Sequence, residues 1–138
     1  MEGLEEKEHY VLLIKKDYLF DLSKDPYMED EMTVIKWGFA YSSLVELVGY
    51  ILYNFGKEKV DAKSAGEVIQ KLNHPLTNDV DYKVRNSIQH LDFTIEKEYI
   101  ELKTLKGISK IDKKELPKYI DNIEKTVIEL KKLFKIIK

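Results

Sequence analysis

The run Trp37-Gly38-Phe39-Ala40-Tyr41-Ser42-Ser43-Leu44-Val45-Glu46-Leu47-Val48-Gly49-Tyr50-Ile51-Leu52-Tyr53 is hydrophobic nearly all round. It constrains the fold more than any other stretch of the chain. A helix with apolar side chains on every side either crosses a membrane or sits at the centre of a protein. Its length approaches the roughly 20 residues of a membrane span. Glu46 at the midpoint, two serines, two glycines and three tyrosines argue against that reading, because a carboxylate in mid-membrane is expensive. The segment Tyr27 to Phe55 therefore reads as a central buried helix, covered by neighbouring elements or by a second subunit. Gly56 is expected to end it in a left-handed conformation.

Other elements follow from periodicity and capping. Leu4, Val11, Ile14, Tyr18 and Leu22 recur at helical spacing, so an amphipathic helix is expected over residues 3–22, with Asp25-Pro26 ending it and restarting the chain. Ser64-Ala65-Gly66-Glu67 has capping-box spacing and opens a short helix through Val68, Ile69 and Leu72. Asn73 to Asn78 is a loop around Pro75. The next helix is expected from near Asp79, with Val80, Val84, Ile88 and Leu91 on one face. After His90 the period shortens: Phe93-Thr94-Ile95, Tyr99 to Lys103 and Ile108 to Ile111 approach two-residue alternation and read as a small antiparallel meander. One long helix through this region is the alternative, since Lys and Glu favour helix. Asp112-Lys113-Lys114-Glu115 is a second capping box. Beyond it Ile120, Ile123, Val127, Leu130, Phe134 and Ile137 step by three and four along a closing helix, Pro117 falling in its first turn.

At 138 residues the chain is read as one domain spanning residues 1–138. Charged residues make up 35% and hydrophobic ones 43%, which excludes a disordered chain. Residues 103–138 hold 11 Lys against 5 Asp and Glu, for +6, while the rest of the chain carries −8. A basic final third could meet a polyanion, or could be a solvated helix face. Cysteine is absent, which removes disulfides and thiolate metal sites and fits a reducing, cytoplasmic setting. Glu2, Glu5, Glu6 and Glu8 do not make the basic start of a secretory signal.

The chemistry points to Tyr82-Lys83-Val84-Arg85-Asn86-Ser87-Ile88-Gln89-His90-Leu91-Asp92-Phe93. It holds the sole arginine and one of three histidines. A guanidinium presents a planar fork of donors matched to phosphate, and an imidazole exchanges protons near neutral pH. Arg85 and His90 would flank a groove, with Asn86 one turn before His90, while Val84, Ile88 and Leu91 anchor the opposite face to the core. The polar face is then free to meet an identical face across a two-fold axis. Structural readings stand beside this one: Arg85 as a surface or interface ion-pair residue, His90 satisfying carbonyls at a helix end. Glu46 is either a buried partner for Arg85 or the polar face of its helix, looking into a dimer groove. His9 and His74 show no metal-ligand spacing with each other or with His90.

Arg85-Asn86-Ser87-Ile88-Gln89-His90 resembles the R-N-x-x-x-H signature of the HEPN superfamily (higher eukaryotes and prokaryotes nucleotide-binding domains). The context adds to the likeness: an apolar helix with an internal acid, a short motif helix, a small β element and a closing helix. That order is similar to the Apea-like branch. The resemblance implies an all-α fold, an antiparallel helical bundle of four to five helices with a small β-hairpin or meander at about residues 93–111 inserted before the last helix. It implies a homodimeric endoribonuclease that cuts single-stranded RNA with no metal or cofactor, both protomers' Arg and His lining one cleft. His90 would be the general acid/base, Arg85 would neutralise the transition state, and Asn86 would hold phosphate or position His90, with Glu46, Gln89 and Asp92 in support. A toxin or antiviral defence effector is the implied setting, with an antitoxin or larger defence complex as a further partner and no membrane. Where antitoxin-paired branches carry tyrosine two residues after the histidine, this chain has Asp92. An inactive HEPN-type RNA-binding or protein-interaction module is the alternative.

Overall fold

The computed structural model describes residues 31–104 and 107–136. The amphipathic stretch at residues 3–22, His9, the Asp25-Pro26 break, the first four residues of the Tyr27–Phe55 segment and Ile137 lie outside them. Among these residues are four helices, α1 (Glu31–Phe55), α2 (Ala65–Leu72), α3 (Tyr82–Gln89) and α4 (Leu116–Leu133), and a three-stranded sheet of β1 (Phe93–Ile95), β2 (Tyr99–Thr104) and β3 (Gly107–Asp112). α1 is the hub, with α2, α3 and α4 all packed against it. Trp37, Tyr41, Leu44, Val45, Val48 and Ile51 are fully buried, so the apolar run is spent on tertiary packing. Burying each large side chain of this kind contributes about 1.5–3 kcal/mol. Among the described residues no helix is long and apolar enough to cross a membrane.

Close approach sets the geometry around α1. A Cβ added at Gly49 would fall 2.5 Å from Ala65 Cβ and 2.7 Å from Ala65 Cα, so the first turn of α2 rests directly on the α1 backbone. Trp37 stacks on Tyr41 at 5.5 Å, and Tyr119 of α4 meets both rings edge-on. The Trp37 indole N–H donates to the Leu116 carbonyl at 2.8 Å, fastening the start of α4 to α1. Ile120, Ile123, Val127 and Leu130 then line the buried side of α4.

The all-α expectation is corrected. The meander is a sheet in register, with Phe93 opposite Leu102 and Ile100 opposite Ile111. It is also part of the core and not an insertion into a bundle: Ile100, Leu102 and Ile111 are buried in the same cluster as α1 and α4. Over the described residues the fold is mixed, four helices sharing a core with a three-stranded antiparallel sheet. The single-helix alternative for this region fails for the same reason.

Local chemistry moved two boundaries and changed how α1 ends. The motif helix begins at Tyr82, not near Asp79, because the Asp81 carboxylate accepts from the Lys83 and Val84 N–H groups while the Asp81 N–H is held by the Tyr41 hydroxyl. Asp112 caps a 3-10 turn over Lys113–Glu115, and α4 starts one residue later with no side-chain cap. Gly56 does not take up a left-handed φ. Glycine is favoured there because a Cβ would fall 2.5 Å from the Leu52 carbonyl oxygen. Ser64 caps α2 as expected, accepting from the Glu67 N–H, although Glu67 returns its bond to the Lys63 N–H.

Candidate functional site

α3 is fixed on three sides before any of its polar residues act. Val84 and Ile88 are buried, and Ile88 packs where α1 has no side chain, 3.1 Å from a Cβ added at Gly38. Ser87 Oγ donates to the Lys103 carbonyl of β2 at 2.8 Å. The Lys103 N–H donates to the Asp92 carbonyl at 2.8 Å, so the end of the motif segment is tied to the sheet. The helix is therefore a rigid mount whose polar face points toward α1 and solvent.

Four of the six candidate residues form one network. Arg85 Nη2 donates to Glu46 Oε1 at 3.0 Å, and Gln89 Nε2 donates to the same oxygen at 2.8 Å. Arg85 Nη1 donates to Asn86 Oδ1 at 2.8 Å. The Arg85 and Glu46 side chains are only 11% and 12% exposed, so this ion pair is largely removed from solvent. Of the two readings for Glu46, the geometry is that of a partner for Arg85. Arg85 Nε is buried with no hydrogen-bond partner, which leaves the guanidinium with unused donor capacity. Ser42 Oγ, one turn before Glu46 on α1, is likewise buried and unpartnered.

The other two residues stand apart from that network. His90 is the C-terminal cap of α3, its backbone N–H bonded to the Asn86 carbonyl, and its ring is exposed. Asp92 is exposed as well. Neither side chain has a hydrogen bond or ion pair among the described residues. Asn86 thus engages Arg85 with its side chain and His90 only through its backbone. The arrangement places a partly neutralised guanidinium on α3 and a solvent-exposed imidazole at its C-terminal cap.

Leu91 departs from expectation. Placed on the core face by helical periodicity, it is 73% exposed, with φ at +58°. The helix stops at Gln89, and the chain reverses through Leu91 N–H to Ile88 O and Asp92 N–H to Ser87 O, the paired bonds that close a helix through a left-handed residue. Ser87 and Lys103 were not singled out by sequence, and both hold the motif in place. A small hydroxyl and a strand backbone carry no signal of that kind. His74 caps the 3-10 turn Pro75–Thr77, its Nδ1 accepting from the Leu76 N–H.

Among the described residues no group of three or more His, Cys, Asp or Glu side chains is arranged to hold a metal ion. A shallow depression of about 480 Å³ lined by Asn78, Asp81, Tyr119 and Asn122 lies at the far end of α3 from His90. No protein-family model, curated protein or solved structure matches this chain, so the functional reading rests on its own residues.

Proposed function

We propose that this protein is a HEPN-type endoribonuclease that cuts single-stranded RNA through a composite site shared by two copies of the chain. The observation that carries the reading is the mounting of Arg85 and the exposed His90 on one short helix locked to both α1 and β2. RNA brings its own nucleophile. In the proposed reaction a 2′-hydroxyl attacks the adjacent phosphorus while an imidazole takes its proton, and the 5′-oxygen leaves with a proton from the second imidazole. The products are a 2′,3′-cyclic phosphate and a 5′-hydroxyl end. Arg85 offsets the charge gathering on the non-bridging oxygens, and Glu46, Asn86 and Gln89 hold it in place. Asp92 lies beside His90 in sequence and adds negative charge near it. A toxin or antiviral defence effector, acting in the cytoplasm, is the setting this chemistry fits.

A second reading has its own support. Arg85 is mostly buried and engaged by Glu46 and Asn86, the usual condition of a structural ion pair. On that reading the chain is a non-catalytic RNA-binding or protein-interaction module. One experiment separates the two. Purified protein is incubated with labelled single-stranded RNA in EDTA, and the ends are analysed for cyclic phosphate. His90→Ala is the decisive variant because the ring is exposed and removing it leaves the core untouched. Cyclic-phosphate ends in the wild type and their loss in a fully folded His90→Ala protein support the nuclease. Binding without cleavage, or cleavage unchanged in His90→Ala, overturns it.

A further inference from the structure

A left-handed φ costs a residue with a Cβ about 1–2 kcal/mol, and the position that Leu91 occupies after a helix end is normally given to glycine. The chain keeps this strain to present an apolar side chain that stays 73% exposed. Its surroundings are specific. Asp92 follows it directly, and Lys103 lies opposite Asp92 through the 2.8 Å backbone bond. Ile108, 62% exposed, is the cross-strand neighbour of Lys103. The Asp92 carboxylate and Lys103 ammonium are both exposed, and neither is ion-paired among the described residues. An apolar knob thus stands beside Asp92, whose cross-strand neighbour is Lys103, and next to His90.

Such a surface is complementary to itself. A two-fold rotation through it sets apolar side chains against apolar side chains and brings each Asp92 toward Lys103 of a second copy. We infer that Leu91, Asp92 and Lys103, with Ile108 beside them, form the contact through which two copies of this chain associate. The inference rests on the dimeric reading above, because any two-fold axis that brings two His90 rings to one phosphate also brings together the residues beside them. The uncovered Leu91 then gains a partner, and its strained turn acquires a use.

Sedimentation velocity on the full chain across a concentration series tests this, with thermal unfolding of each variant alongside. The wild type is expected to dimerise. Asp92→Lys and Lys103→Asp should each weaken the dimer by roughly tenfold or more, and the double reversal should restore it. Leu91→Gly should weaken the dimer while the folded monomer becomes more heat-resistant. A wild type that stays monomeric, or a dimer unmoved by Leu91→Gly and by both reversals, overturns the inference. So does a double reversal that restores nothing, or a Leu91→Gly protein that loses RNA binding but associates normally. Cleavage of RNA with association unmoved rejects this surface and spares the nuclease. A dimer that responds as described but never cuts RNA rejects the nuclease and spares the surface.

Discussion

Arg85 and Glu46, separated by 39 positions in the chain, are joined by a 3.0 Å hydrogen bond between side chains only 11% and 12% exposed to solvent. The bond links the motif helix to the middle of the buried helix. Glu46 also receives Gln89, and Arg85 also reaches Asn86, so each partner is held by more than the bond between them.

Arg85→Ala should lower stability by about 1–3 kcal/mol, because it removes the counter-charge of a shielded carboxylate. Glu46→Ala should cost a similar amount. The double variant should lose clearly less than the two together, with a coupling of about 1 kcal/mol or more by urea unfolding. Additive losses would mean that the bond contributes little. Arg85→Lys should not recover wild-type stability, since one ammonium cannot serve Asn86 and Glu46 in the same planar geometry. Activity losses in Arg85 variants must be read against this, whereas His90→Ala removes an exposed ring and leaves the core intact.

Two glycines on α1 should respond differently to alanine. At Gly49 the new methyl meets the Ala65 backbone at 2.7 Å, and neither helix can yield cheaply, so Gly49→Ala should destabilise by about 2 kcal/mol or more. At Gly38 it meets the end of Ile88 at 3.1 Å, and a flexible side chain can turn aside. Gly38→Ala should cost less than half as much in the same denaturation experiment.

Stability should decline in alkali. Burial pushes the Tyr41 phenol far above its ordinary value of 10, and burial with the nearby Asp81 and Glu115 charges raises Tyr119 as well. Above pH 10 the unfolded phenols lose their protons while the folded ones keep theirs. The unfolded state then binds fewer protons, and stability falls as pH rises. Tyr41→Phe should weaken the protein at neutral pH, through loss of the acceptor for the Asp81 N–H, yet flatten the decline above pH 10. Urea midpoints across pH 8–11 check both parts, and an equally steep decline in Tyr41→Phe would refute the assignment.

Trp37 is the sole tryptophan and fully buried, so its fluorescence reports the core directly. Trp37→Phe removes the donor to the Leu116 carbonyl and should cost at least 1–3 kcal/mol by thermal unfolding followed by circular dichroism. Retention of wild-type stability would show that the carbonyl finds another donor.

Much of the fold was legible in residue patterns. The burial of α1 follows from apolar side chains on all its faces, and the strand positions follow from alternation at Phe93–Ile95 and Tyr99–Lys103. The cap at Ser64 could be read because a short polar side chain acts on the N–H groups two or three residues ahead, whereas Asp112 caps a 3-10 turn in front of α4 and not the helix itself. What a single sequence hid was long-range. Alternation marks Ile100, Leu102 and Ile111 as strand residues but does not say that they share a core with α4, and that shared core is what makes the fold mixed and not all-α. Glu46 was visible as an anomaly, and its union with Arg85 and Gln89 needed three-dimensional placement to choose between two readings. Leu91 was misplaced because leucine gives no warning that the helix stops two residues before it.

Ser87 and Lys103 close a small clamp in which the helix hydroxyl holds the strand carbonyl and the strand amide holds the carbonyl of Asp92. A slip of β2 by one residue would turn Leu102 outward and unhook Ser87 in the same movement. The register of the sheet and the end of the motif helix that carries His90 are thus fixed by the same pair of bonds.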